Sequence, residues 1–272
     1  MGKLAVGIIG ASGRMGMMTI EAVIDDPMAS IGGGLVRQDS SMVGRDMGSI
    51  VGRDPMAIAA THDIAKVFSG SDVIIDFSLP DAFTDILSMA VKTSTPIVIG
   101  TTGLTKIQED AINDAARTIA LVYASNTSLG INLLFAIIEQ ISRALPIDFD
   151  IDILDFHHNK KIDAPSGTAL SLGKAAAKGR EKNFDEVAKL SREGEVGRRP
   201  SGEIGFAALR GGNVIGEHTV IFAGAGERLE VSHKTSGREI YAAGALRAAH
   251  WVSNQPNGLY SMRDVLGLKA EH

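Results

Sequence analysis

The apolar positions of the chain follow one pattern up to about residue 127 and another after it. In the first stretch, short uninterrupted apolar runs alternate with amphipathic segments. Residues 3–10 (KLAVGIIG) read as a buried strand that leads through a glycine-rich turn to a helix at 17–24. A second strand, rich in glycine, is predicted at 30–37. The runs at 73–77 and 96–100 are apolar almost throughout, as expected of strands covered on both faces. Helices are predicted at 80–92 and 106–117, the second followed by a strand at 119–124. Such alternation predicts a parallel sheet with helices on both sides.

Beyond residue 127 the periods change. An apolar-faced helix is predicted at 131–145. Asp148-Phe149-Asp150-Ile151-Asp152-Ile153 then alternates with period two, as a strand with one wet face should. If the alternation continues, His157 lies on the side of Phe149, Ile151 and Ile153, and His158 on the other. Ser166 is the expected N-cap of a helix running through 169–178. The charged stretch 179–201, with Gly194, Gly197 and Pro200, is expected to include a mobile loop. Strands at 204–210 and 214–223 are predicted to form a hairpin through Gly211-Gly212-Asn213, followed by a strand at 227–235. An Ala-rich helix at 239–252 is expected to pack back on the first domain. The predicted fold class is α/β: an N-terminal Rossmann-type dinucleotide-binding domain, residues 1–127 completed by 239–272, and a second α+β domain, residues 128–238, on a mixed, largely antiparallel sheet.

Composition narrows the function classes. With 44% hydrophobic and 22% charged residues, the 272-residue chain matches an ordinary soluble globular protein. A net charge of −5 argues against nucleic acid as the main partner. Cysteine is absent, which removes disulfides, thiolate nucleophiles and thiolate metal ligands. There is no apolar run of membrane-spanning length and no signal-peptide pattern, so a cytoplasmic setting without a membrane partner is expected.

Two segments carry chemistry. The turn Gly10-Ala11-Ser12-Gly13-Arg14-Met15-Gly16 sits between strand and helix, where glycines let the backbone approach a pyrophosphate at the helix N-terminus. Its spacing is G-x-x-G-x-x-G, with Ser12 where the commoner fingerprint has a second glycine. In parallel sheets ligands lie beyond the C-terminal strand ends, which puts this turn, Phe77-Ser78, Gly100-Thr101-Thr102-Gly103 and Ala124-Ser125-Asn126-Thr127 along one rim. A carboxylate at the end of the second strand would bond an NAD ribose; here Val36 occupies that position and Arg37 follows. Arg37 can pair a 2′-phosphate, which predicts a preference for NADPH with NADH possible; the alternative is a solvated surface arginine. The second segment, residues 157–169 (HHNKKIDAPSGTA), sets two imidazoles and two ammonium groups before a helix start. These supply proton donors and an oxyanion-binding end; the alternative is a solvated, positively charged strand edge. A metal site on His157 and His158 is not expected, because adjacent ligands on an extended segment diverge. The other histidines, His62, His218, His233, His250 and His272, are isolated and favour structural or solvated roles.

In this order the motifs closely resemble those of the 4-hydroxy-tetrahydrodipicolinate reductase (dihydrodipicolinate reductase) family, over nearly the full length. Besides the two segments above, the resemblance rests on Asp76-Phe77-Ser78, Asn126-Thr127-Ser128, Ser191-Arg192-Glu193-Gly194, Ile204-Gly205-Phe206, Gly216-Glu217-His218 and Gly226-Glu227-Arg228-Leu229-Glu230. It implies hydride transfer from NAD(P)H to a cyclic imine dicarboxylate, with loss of water, giving tetrahydrodipicolinate in lysine and diaminopimelate biosynthesis. It also implies His157 as acid/base and Lys161 as proton donor, with His158, Lys160, Gly167 and Thr168 holding the substrate. Gly10, Ala11, Ser12, Gly13, Arg14, Met15, Gly100, Thr101, Thr102, Ala124, Ser125, Asn126 and Thr127 would line the dinucleotide, and Arg37 would take its 2′-phosphate. A homotetramer, joined through the second domain, is implied as well. Two positions depart from the family pattern: Val36 stands where many members have an acid, and Leu79 where some have a base. A non-catalytic dinucleotide sensor and another two-domain nicotinamide enzyme, such as an amino acid dehydrogenase, share the cofactor turn; the sensor leaves His157, Lys161 and Thr168 without a task.

Overall fold

A computed structural model describes residues 2–268, so His272 lies outside the described residues. The chain divides into two compact units, residues 2–129 with 239–268, and residues 130–238.

The first unit begins β1 (Leu4–Ile9), α1 (Arg14–Asp25), β2 (Ala29–Leu35), α2 (Met47–Ile50) and α3 (Ile64–Ser69). It continues β3 (Val73–Asp76), α4 (Pro80–Thr93), β4 (Ile97–Ile99), α5 (Lys106–Ala115) and β5 (Ala120–Tyr123). Neighbouring residues of one strand enter different cores, which explains the continuous apolar runs. Ile8, Ile75, Val98 and Val122 pack in one cluster with Ile20 and Val23 of α1, whereas Ile9, Ile74, Ile97, Ile99 and Leu121 pack in another with Phe83 and Ile86 of α4. The helix after β1 starts at Arg14, three residues earlier than its apolar pattern suggests, because Gly13 serves as its N-cap. Two short helices in the stretch 38–72 have no apolar period to announce them; aspartates cap both, Asp46 accepting from Gly48 N at 2.9 Å and Asp63 from Ala65 N at 3.0 Å.

The second unit comprises most of α6 (Leu129–Ala144), then β6 (Asp150–His157), α7 (Gly167–Gly179), α8 (Phe184–Val187), β7 (Ala188–Lys189), β8 (Ile204–Arg210), β9 (Glu217–Ala223) and β10 (Arg228–Lys234). Its sheet order is β10-β9-β6-β8-β7. The predicted hairpin between 204–210 and 214–223 is therefore wrong: β6 lies between the two strands, parallel to β8 and antiparallel to β9. The Gly-Gly-Asn link bridges the end of β6 instead, with Gly211 N donating to His157 O at 2.9 Å and Asn159 N to Gly212 O at 3.4 Å. The antiparallel hairpin of this unit is β9–β10, closed by Gly224 N donating to Glu227 O at 2.9 Å. One sheet face packs Ile151, Ile153, Phe206 and Phe222 against Leu134 and Ile138 of α6 and Leu172 and Ala176 of α7. The charged stretch expected to include a loop contains α8 and β7 and is fastened by arginines: Arg192 reaches Asp152 at 2.8 Å and Glu203 at 2.6 Å, and Arg199 reaches Asp150 at 3.0 Å.

The chain then returns to the first unit with α9 (Glu239–Val252), β11 (Gly258–Tyr260) and α10 (Met262–Val265). Ala245, Ala248, Ala249 and Val252 of α9 join the cluster of Ile8 and Ile20, and β11 pairs in parallel with β5. The first sheet thus runs β11-β5-β4-β3-β1-β2.

Candidate active site

In the first unit, all strand pairings are parallel, so the strand ends that carry Gly10, Phe77, Gly100 and Ala124 share one edge. Gly10 adopts φ +77°, a left-handed conformation that a side chain disfavours. Gly16 sits in the first turn of α1, where a Cβ would stand 2.1 Å from Gly10 O and 2.7 Å from Ala11 Cα. Glycine thus lets α1 lie against the end of β1. No side chain caps α1 at Gly13. Its first N–H groups have no partner within the helix and, with the dipole, suit a pyrophosphate. Gly13 and Arg14 are exposed, Ser12 and Met15 half-buried, and Ala11 fully buried, so Ala11 contributes backbone only.

The rest of the rim divides into packed and open residues. Thr101 is buried, its hydroxyl donating to Asp76 Oδ2 at 3.0 Å, and Thr127 is buried, its hydroxyl donating to Tyr241 O at 2.7 Å. Thr102 and Ser125 are exposed. Of the hydroxyls predicted along this edge, the threonines at 101 and 127 therefore hold the rim together. Gly100 makes room for the Phe77 ring, which a Cβ there would meet at 2.2 Å. Asp76, wholly buried beside them, has its carboxyl raised by that burial, against hydrogen bonds from Ser78 and Thr101. Arg37, past the end of β2, is exposed with Nε 3.7 Å from Asp39 Oδ1, and Val36 is buried.

In the second unit, His157 ends β6 and residues 158–161 turn back. Lys160 N donates to His158 Nδ1 at 3.2 Å, and Lys161 N to His158 O at 3.2 Å. That bond fixes the neutral His158 tautomer with its proton on Nε2, a donor for an anion. Lys160 is exposed. The Lys161 ammonium contacts Asp163 Oδ1 at 2.8 Å, and this ammonium holds the Asp163 carboxyl below its usual range. A cis Ala164–Pro165 bond precedes Ser166, the N-cap of α7, whose hydroxyl oxygen accepts from Ala169 N at 3.2 Å. Gly167 is exposed with open space where a Cβ would stand, and Thr168 is half-buried. The turn and the helix start thus form one cationic, N–H-rich segment.

Beneath it lies a residue that the sequence reading missed. Asp155, fully buried on the Ile151–Ile153 side of β6, accepts from Ser166 N and from Ser166 Oγ, each at 2.8 Å. His157 Nε2 lies 3.0 Å from its Oδ1 and His218 Nε2 3.3 Å, with Arg210 Nη1 3.9 Å from its Oδ2. Burial alone would raise this carboxyl; bonds from His218 and Ser166 and the charge of His157 outweigh it and hold it well below the usual carboxylate range. Burial lowers the His157 imidazole, and His218 and Lys161 lower it further, against Asp155 and the Ile215 carbonyl. His157 Nδ1 is 2.9 Å from Ile215 O, so both its nitrogens face protein oxygens, although the approach of Nε2 to Asp155 is a charge contact and not an aligned hydrogen bond. His218, read as isolated in the sequence, belongs to this cluster, its ring 5.3 Å from that of His157. Asp155, His157 and His218 bring one donor atom each within 4.8 Å of one another. Ser166 already engages both carboxylate oxygens and a guanidinium faces them, so the set is a hydrogen-bonded hub. Its signal was in the sequence: an acid with the same parity as Ile151 and Ile153 needs buried donors.

Two family models match the chain, one described as dihydrodipicolinate reductase, N-terminus, over residues 4–127, the other as dihydrodipicolinate reductase, C-terminus, over residues 130–266. A 4-hydroxy-tetrahydrodipicolinate reductase from Halorhodospira halophila is 43% identical over 266 residues, covering 98% of this chain and all of the relative. One from Hahella chejuensis is 45% identical over 264 residues, covering 97% and 99%. Among solved structures, a dipicolinate-bound dihydrodipicolinate reductase from Paenisporosarcina sp. TG-14 is similar in fold, with a TM-score of 0.78 over 95% of this chain and 97% of that one, at 22% identity.

Proposed function

The chain belongs to the dihydrodipicolinate reductase family, and from that premise we propose that its two units divide the work of reducing a cyclic imine dicarboxylate to tetrahydrodipicolinate with NAD(P)H, in lysine and diaminopimelate synthesis. The observation that carries the division is the cationic turn 157–161 running into the N-terminus of α7 over a buried carboxylate. A bound dihydronicotinamide supplies the hydride. The glycine turn 10–16, with the edge at 100–102 and 124–127, fits such a dinucleotide: the backbone is bare at Gly10 and Gly13, and the α1 N-terminus has no side-chain cap. His158 Nε2–H, the Lys160 ammonium and the N–H groups of Gly167 and Thr168 bind the two substrate carboxylates. Lys161 leaves Asp163 to protonate the electron-rich ring that hydride addition creates. His157, with its nitrogens turned to Ile215 and Asp155, stabilises that developing charge and exchanges the proton. In a purified sample, NADPH absorbance falls on addition of fresh condensation product of pyruvate and aspartate semialdehyde. Absence of turnover with either nicotinamide rejects the reading, and binding without turnover leaves a sensor.

NADPH is the preferred cofactor in this proposal. The exposed guanidinium of Arg37 takes the 2′-phosphate at the small cost of its loose Asp39 contact. Arg37→Ala is expected to raise KM for NADPH about tenfold, as loss of a charge-assisted bond should, and to leave KM for NADH unchanged. Equal KM values for both dinucleotides, unaltered in the variant, reject the preference.

A cytoplasmic homotetramer completes the proposal. Leu154, Phe156, Leu209 and Ile221 lie on the sheet face opposite α6 and α7, and Leu209 is 45% exposed. An apolar sheet face of this kind is suited to burial against other copies. Sedimentation should give four times the chain mass, and Leu209→Asp should shift it to smaller species; a monomeric wild type rejects this assignment.

A further inference from the structure

We infer that Asp155 is a positioning residue, a buried counter-anion that fixes His157 and the start of α7 relative to each other. This rests on the reductase reading of the same site. Asp155 touches both ends of the thirteen-residue segment 157–169 at once. Its Oδ1 meets His157 Nε2 at 3.0 Å and the Ser166 hydroxyl at 2.8 Å, and its Oδ2 accepts the Ser166 N–H at 2.8 Å. Ser166 in turn caps α7 through Ala169 N. One carboxylate therefore sets where the imidazole stands and where the Gly167 and Thr168 N–H groups point. Nothing else on the covered side of β6 is acidic, and the side chain is wholly buried, so the contacts are unscreened by water.

The same carboxylate opposes the loss of the His157 proton that burial favours. Nδ1 faces Ile215 O at 2.9 Å, and Nε2 lies 3.0 Å from Asp155 Oδ1 as a charge contact, so the carboxylate favours the imidazolium by its charge. Around that ring stand Lys161 from the turn, the His158 ring edge-on with centroids 6.5 Å apart, and His218 from β9, with His233 paired across to His218 from β10. Arg210 from β8 pairs with His157 in register and directs its guanidinium to Asp155. His218 and Lys161 disfavour a proton on His157, and Asp155 is the charge that opposes them. Removing it takes away the one charge that opposes those effects, so His157 would hold a proton less firmly still.

The test uses full-length protein and two independent readouts. The first is the His157 titration, followed by NMR of the ring protons, which needs no substrate. In Asp155→Asn the midpoint is expected to move to lower pH; in Ser166→Ala, which leaves the carboxylate in place, it is expected to stay. The second is the pH profile of kcat/KM together with affinity for pyridine-2,6-dicarboxylate, a stable planar dicarboxylate. Asp155→Asn should lower kcat/KM about a hundredfold, the scale of a misplaced catalytic constellation, with its His157 limb displaced to lower pH. Ser166→Ala should weaken the dicarboxylate and leave that limb in place. Asp155→Glu, which keeps the charge one methylene further out, should fall between wild type and Asp155→Asn in both readouts. A wild-type His157 midpoint in Asp155→Asn overturns the inference, as does wild-type kcat/KM. If Asp155→Asn does not fold, wild-type values of both quantities in Asp155→Glu overturn it equally. A wild-type enzyme that turns over no substrate rejects the reductase reading, while the NMR titration still decides whether Asp155 raises the His157 midpoint.

Discussion

Lys161→Ala is expected to lower kcat by at least about a hundredfold, the usual scale of a lost general acid, while the dissociation constant for NADPH stays at its wild-type value. Lys161 combines a cationic side chain with a fixed start point. Its backbone N–H is tied to His158 O at 3.2 Å, and its ammonium rests on Asp163, an exposed carboxylate that surrenders it easily to a ligand. Lys160, beside it, is exposed and belongs to the substrate-holding set, so it is not expected to take over the role. His157 keeps its part in proton exchange, but with its nitrogens turned to Ile215 O and Asp155 it does not stand in for the Lys161 ammonium. Steady-state kinetics and dinucleotide fluorescence on one sample separate the two effects. Unchanged kcat removes Lys161 from the chemistry; a parallel loss of NADPH affinity transfers its role to the cofactor.

Gly16→Ala is expected to damage both the packing of the first unit and its cofactor turn. The added Cβ would stand 2.1 Å from Gly10 O and 2.7 Å from Ala11 Cα, both backbone atoms, so α1 must shift away from β1. Overpacking of this kind costs about 1–3 kcal/mol, visible as a lower urea midpoint with an unchanged slope. The same shift withdraws the α1 N–H groups from the place where the pyrophosphate would bind, and NADPH affinity should fall about a hundredfold, as a few kcal/mol requires. Gly226→Ala, which meets nothing within 4 Å, is the control and should leave both quantities unchanged. Wild-type NADPH affinity in Gly16→Ala would remove the turn from cofactor binding.

Where the sequence was legible, one physical requirement dominated each segment. Val73, Ile74 and Ile75, like Ile97–Ile99, are covered on both faces and must be apolar on both, a short continuous run that reads as a strand of a parallel sheet. The helix Lys106–Ala115 carries a full capping box from Thr105 and Gln108, and Ser166 announces α7 as a simple N-cap hydroxyl. Misreadings arose where the decisive partner is distant in sequence. Gly211-Gly212-Asn213 has the local chemistry of a hairpin turn, but β6, some fifty residues earlier, occupies the place beside β8 that β9 would need. His218 looked isolated because Asp155 and Ser166 come to it across the sheet. Short helices such as Met47–Ile50 have no turn-to-turn repeat, and only the capping aspartate Asp46 betrays them. Of the candidate site, the motifs 10–16 and 157–169 were visible as motifs; the hub that joins the ends of the second was not.

The return of the chain to the first unit has a bearing on its birth. When residues 2–129 have been made, the apolar cluster around Ile8, Ile20 and Val98 still lacks Ala245, Ala248, Ala249 and Val252, and the edge of β5 has no neighbour until Gly258–Tyr260 arrives. Residues 130–238 are contiguous and can close their own core first. The unit synthesised first is therefore the one that matures last, and during elongation its open β5 edge and bare sheet face are the surfaces a nascent-chain chaperone would have to shield.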